Sequence, residues 1–236
     1  MQRPDDQDTA WVASSQQLFD SALPTGAYAH SFGLEGLVQS GEISSAEGMM
    51  DFLRHEVRDG MVNSDLPVFR EAHRAVTERT YPKIAELDEL AHAIRPTFEL
   101  RKGGAQIGRQ TWRLYGRLFP VSSDEMSVYS QCSEYLVHSQ AVVVNGLLAA
   151  VTGIPLPVSM LAYVQQGLSN NVQACIKLLS FGPSQVQEIL YSIGREMPEW
   201  IEESMGVELE DTGGISPRWD IASSQHQYAE RRLYIS

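Results

Sequence analysis

Apolar residues recur along this chain with the period of an α-helix. Met49, Met50, Phe52, Leu53, Val57 and Met61 share one face. Leu66, Phe69, Ala72 and Val76 follow, then Ile84, Leu87, Leu90, Ala91 and Ile94. Ser44 and Glu47 stand three apart, as do Ser122 and Glu125. Each pair reads as a capping box, in which serine and glutamate satisfy each other's backbone donors at a helix start. Pro67, Pro82 and Pro96 fall near the starts of these runs, where a first helical turn tolerates proline. No stretch keeps the two-residue alternation of a strand for long. The pattern predicts an all-α chain, a single domain of roughly ten helices joined by short loops.

One segment stands apart. From Tyr135 to Ile176 there is no Asp, Glu, Lys or Arg. A bilayer span needs ~20 continuous apolar residues, and here Gly153-Ile-Pro-Leu-Pro157 interrupts the run while Gln165, Gln166, Asn170, Asn171 and Gln173 crowd its second half. The segment therefore reads as two central helices buried on most sides, with no membrane partner. In the second, Leu161, Val164, Leu168, Val172, Cys175 or Ile176, and Leu179 form a stripe. In the first, Gly146, Ala149, Ala150 and Gly153 are small enough for close helix approach.

Composition narrows the class. With 43% hydrophobic and 20% charged residues, the 236-residue chain can bury a sizeable core. Its formal net charge of −12 disfavours nucleic acid and anionic lipid as partners of the whole surface. Arg95, Arg101, Lys102, Arg109, Arg113 and Arg117 nonetheless crowd one stretch, which reads as a solvated or protein-contacting helix surface. Cys132 and Cys175 form no metal or disulfide spacing, so a reduced, cytoplasmic protein is expected. Residues 1–9 are polar, without the apolar core of a signal peptide, and predict a flexible N-terminus. Residues 10–210 predict the helical body. Glycine and proline in Asp211-Thr-Gly-Gly-Ile-Ser-Pro217 then open a tail, 211–236, whose spaced Trp219, Ile221, Tyr228, Leu233 and Tyr234 resemble docking anchors.

Three groups of residues bear on catalytic or ligand chemistry. Ala29-His30-Ser31-Phe32-Gly33 is one residue from the Gly-x-Ser-x-Gly nucleophile elbow, but no strand precedes it. An α-helical serine hydrolase using Ser31 is the alternative this leaves. His30, His55, His73, His92, His138 and His226 show no His-x-x-x-His spacing, so no metal site is expected from sequence, although transient nickel contact stays open. Gly103-Gly104-Ala-Gln-Ile-Gly108 lacks the lysine of a phosphate loop and reads as a close helix crossing or kink.

The two ends carry a resemblance. Leu23, Pro24, Gly26, Tyr28, Ser31, Gly33, Leu34 and Glu35 match, in order, the N-terminal motif of the urease accessory protein family UreF. His226, Tyr228, Arg232, Leu233, Tyr234 and Ser236 match its C-terminal ending. Arg101–Gln110 and Asn170–Gly182 resemble its middle segments. Lys177 stands where the family usually has arginine, Ser180 where it has proline and Pro183 where it has glutamine. The resemblance implies a non-enzymatic, all-α homodimer acting in metallocentre assembly. In that role a scaffold binds UreD (also called UreH), recruits and regulates the GTPase UreG, and serves nickel insertion into apo-urease. It implies a UreD/UreH-binding set of His226, Tyr228, Arg232, Leu233, Tyr234 and Ser236. It also implies a UreG-binding set of Tyr28, Ser31, Glu35 and Lys177, with Tyr28, Ser31 and Glu35 at a surface leading into a helix. No catalytic residue, metal ligand or resident cofactor is implied. Without the resemblance, the residues describe equally a helical binding module of another kind.

Overall fold

A computed structural model describes residues 6–26, 33–118, 122–214 and 216–226. Thirteen α-helical segments are present, with no strand among the described residues. They run α1 (Asp6–Leu18), α2 (Leu34–Gln39), α3 (Ala46–Phe52), α4 (Arg58–Gly60), α5 (Leu66–Thr77), α6 (Lys83–Ala93) and α7 (Phe98–Leu118). Then come α8 (Ser123–Tyr135), α9 (Ala141–Val151), α10 (Leu156–Leu178), α11 (Pro183–Gly194), α12 (Met197–Ser204) and α13 (Pro217–His226). The all-α expectation holds. The segment count exceeds ten partly because two π-helical turns, Leu53–Val57 and Met61–Asp65, divide one continuous helical run from 46 to 77.

Local signals explain several helix starts. Ser122 caps α8 with both halves of the box: its hydroxyl accepts from the Glu125 amide at 3.1 Å, and the Glu125 carboxylate accepts from the Ser122 amide at 3.0 Å. At α3 the cap lies one residue later than the sequence pairing places it. Ser45, not Ser44, accepts from the Gly48 amide at 3.1 Å. Glu47 then falls in the second helical position, too early to return a bond. Gly153, at φ 71°, turns the chain out of α9, and Pro155 starts α10.

The uncharged stretch forms the centre. Residues 142–149 of α9 are all buried. α5 approaches so closely at Gly146 that an added Cβ would lie 2.6 Å from the Phe69 carbonyl oxygen. α7 crosses the start of α9 at Gly108, where an added Cβ would lie 1.9 Å from the Ser139 carbonyl oxygen. The Gly103–Gly108 segment is thus a close helix crossing, as its sequence predicts. α10 turns Val164, Leu168, Val172 and Cys175 fully inward. No described helix is long and apolar enough to cross a membrane.

The turn into α9 is fixed by one carboxylate. Asp88, fully buried on α6, accepts backbone N–H bonds from Val137, His138, Ser139 and Gln140 at 2.7–2.9 Å. Four donors satisfy a charge that would otherwise be costly to bury. This arrangement predicts a backbone-limited response at Gly108. Gly108→Ala should lower stability by about 1–3 kcal/mol, because the obstructing atom is a pinned carbonyl rather than a movable side chain. A urea midpoint followed by circular dichroism measures it.

Candidate functional site

The site begins with a helix that proline prevents from closing. Pro67 has no N–H to give the carbonyl of Asn63 four residues earlier. That carbonyl accepts instead from the Gly213 amide, at 2.8 Å. The segment leading to α13 is thereby held along the π-helical turn. Ser216 donates its hydroxyl to the Glu56 carbonyl at 3.4 Å, and Arg218 pairs with Glu56 at 2.5 Å. Trp219 meets Phe52 edge-on, with ring centroids 5.1 Å apart at 75°.

α13 then lies directly on α2. Gly33 precedes α2 with φ 100°, a conformation that glycine adopts without strain. Its missing Cβ is also required by packing: a methyl there would come within 2.8 Å of the Ser223 amide nitrogen. One turn on, a Cβ at Gly36 would lie 3.3 Å from the Ala222 carbonyl oxygen. Ser223 is buried, with its hydroxyl 3.3 Å from that of Thr97 at the start of α7. Segments more than 180 positions apart therefore share one tight crossing of small residues.

Behind this crossing lies a cavity of about 220 Å³, bordered by the second π-helical turn, α7, α10 and α13. Asp65 anchors it. Its Oδ2 accepts the Tyr163 hydroxyl at 2.8 Å, and its Oδ1 accepts from the Arg95 guanidinium. Burial, then the neighbouring Asp65 charge, pushes the Tyr163 hydroxyl well above its ordinary value. Burial alone would lower Arg95, but Asp65, Tyr163 and Asp220 outweigh it and hold the guanidinium above its ordinary value. Asn170 Oδ1 and Trp219 Nε1 are buried, have no hydrogen-bond partner among the described residues, and belong to residues bordering the same space. One acceptor and one donor thus border a space suited to water or a small polar solute.

Asp220, on α13, also lines the cavity. Burial raises its carboxyl above the usual range, opposed by the Ser216 amide region and Arg95. A carboxyl raised on folding binds its proton more tightly in the folded state. The stability so gained is present at acid pH and lost as pH rises through the raised value. Asp220→Asn, which mimics the protonated form, is expected to be neutral or mildly stabilising at neutral pH and to flatten that dependence. Urea midpoints across the carboxylate range check it.

Neither cysteine is a ready nucleophile. Burial pushes the Cys132 and Cys175 thiols up to about 12. Burial likewise lowers His73, whose Nε2 lies 2.9 Å from the Ile154 carbonyl oxygen. Among the described residues, no three of His, Cys, Asp and Glu gather around a point where a metal ion could sit.

The residues named from sequence fare differently. Tyr28, Ser31, Tyr228, Arg232, Leu233, Tyr234 and Ser236 lie outside the described residues. His226 ends α13. Lys177 is exposed in the last turn of α10, where a cation complements the helix dipole. Glu35 differs from expectation. It is a fully buried residue of α2 and accepts from Gln39 Nε2 at 3.1 Å. The tail also begins on the body: 217–226 packs against α2 and α7. The Asp65–Arg95–Tyr163 cluster was not foreseen. Its one sequence signal is Asp65 itself, four residues from both Met61 and Phe69 on an apolar helix face.

The sequence is similar to those of known proteins. Residues 43–194 match the UreF family model. The chain is 28% identical over 220 residues to the urease accessory protein UreF of Nostoc sp. (strain PCC 7120 / SAG 25.82 / UTEX 2576), covering 93% of each chain. It is 28% identical over 224 residues to UreF of Marinomonas sp. (strain MWYL1), covering 93% of this chain and 92% of that one. Against UreF of Chromohalobacter salexigens the identity is 28% over 225 residues, covering 95% and 94%.

Proposed function

This chain belongs to the UreF family of urease accessory proteins, and we propose that it is a non-catalytic scaffold for nickel insertion into apo-urease. In this reading it binds a UreD/UreH-like protein through residues 226–236 and, with that partner, recruits and regulates a UreG-like GTPase. Nickel is cargo of the assembly rather than a resident cofactor. The observation that supports this most is the crossing of Gly33 and Gly36 with Ala222 and Ser223. α13, which leads into the tail of this reading, packs on α2, which follows Tyr28 and Ser31 in the sequence, and that packing supports the assignment. A partner gripping the tail thereby borders the GTPase-facing surface. The scaffold works as a cytoplasmic homodimer, and light scattering tests that assembly by the mass of the purified chain.

Within the GTPase-facing set, Tyr28, Ser31 and Lys177 are assigned contact roles, and the buried Glu35 a supporting one within α2. Lys177→Ala should weaken the three-protein assembly while leaving the fold intact. Lys177→Arg should be tolerated or improve it, since a guanidinium adds a second parallel hydrogen bond to a carboxylate. Co-elution with both partners on a sizing column, read beside urease activation, decides the matter. Wild-type behaviour of Lys177→Ala would reduce Lys177 to a solvated helix-end charge.

A further inference from the structure

α7 carries an unusual charged face. Lys102, Arg109, Arg113 and Arg117 are all exposed. At 100° per residue they fall within an arc of ~80°, and the three arginines follow one another every fourth residue over ~12 Å of axis. Gly108, Thr111, Trp112 and Tyr115 occupy the opposite, buried side. Phe98, two-thirds exposed at 66%, heads the same face, with the Lys102 ammonium 5.9 Å from its ring centre.

Several other cations of the protein pair with carboxylates. Arg54, Arg58, Lys83 and Arg218 each meet a carboxylate of their own chain. For Lys102, Arg109, Arg113 and Arg117 no such pair occurs among the described residues, although acids outnumber Lys and Arg by 30 to 18. Arg109 donates only to the His138 carbonyl, at 3.2 Å. Like charges one helical turn apart oppose each other, so Arg109–Arg113 and Arg113–Arg117 work against the isolated helix. Folding gives no reason for the pattern, whereas recognition does. Arginine forks bind carboxylates two-pronged, and a ladder at four-residue spacing matches carboxylates repeating at the same spacing on another helix.

We propose that this face of α7 is a docking surface for an acidic helix of a partner protein, with Phe98 as its apolar end-stop. A nucleic acid would supply phosphates instead, but the −12 body opposes a long polyanion more than a short acidic helix. The test is independent of the urease reading. A stapled helical peptide with glutamates at every fourth position and its glutamine counterpart are titrated by fluorescence anisotropy. The proteins are wild type and the Arg109→Gln/Arg113→Gln/Arg117→Gln variant. Wild type should bind the glutamate peptide about tenfold more tightly than the variant does, with affinity falling as salt rises. The glutamine peptide should bind neither. The variant's urea midpoint should be unchanged or higher. Equal peptide affinity for the two proteins, or a short single-stranded DNA displacing the peptide, overturns the proposal. So does a lowered urea midpoint, which would assign the arginines to the fold.

Discussion

Asp65→Ala is expected to destabilise the protein by about 3 kcal/mol, the low end for removing one member of a buried ion pair, because the Arg95 side chain stays 24% exposed. The change strands the Arg95 guanidinium and leaves the Tyr163 hydroxyl without its acceptor at 2.8 Å. Both are charged or polar groups whose desolvation is already committed. Asp65→Asn keeps an acceptor of the same shape and should cost less. The contrast with Asp220→Asn is informative, because both carboxylates border one cavity. Asp65 is held by two donors, whereas burial penalises the charge on Asp220. Urea unfolding of the three variants should rank Asp65→Ala lowest and Asp220→Asn nearest wild type. A wild-type midpoint for Asp65→Ala would show that the cluster does not hold the cavity together.

The second large effect separates two parts of the tail. Removing residues 227–236 should abolish binding to a UreD/UreH-like partner and leave the helical fold intact. Within that segment Arg232→Ala should be among the most damaging single changes, since loss of a charged donor at an interface strands its acceptor at ~1–3 kcal/mol. Removing 217–236 should do more. It takes Trp219 from Phe52, Arg218 from Glu56, and Ala222 and Ser223 from the glycines of α2. The buried face of α2 and the cavity would then open to water, with a lower midpoint and a broadened transition. Pull-down and thermal unfolding on both truncations distinguish the parts. Undiminished partner binding by the shorter truncation would refute the tail assignment.

Helices and core were legible in the sequence because both depend on local rules. The 3.6-residue apolar period marked α5, α6 and α10, and the Ser122–Glu125 box marked α8. The uncharged run from Tyr135 to Ile176 located α9 and α10 at the centre. What escaped was set by contacts between distant positions. No local signal says that Asn63 will borrow its donor from Gly213, or that Gly33 needs room for Ser223. The family resemblance implies a surface position for Glu35, whereas the fold buries it. Asp65, Arg95 and Tyr163 come from three separate elements and meet only in the fold. The ends of the chain were singled out by family motifs, but the packing of α13 on α2 is a property of the structure alone.

The scaffold claim is tested most directly by mixing this chain with a purified UreD/UreH-like protein and a UreG-like GTPase on a sizing column with light scattering. The account predicts one complex holding all three, no retention of the GTPase by the UreD/UreH-like protein alone, and loss of the complex when residues 227–236 are removed. Retention of the GTPase without this chain, or elution of the three proteins as separate species, would contradict it.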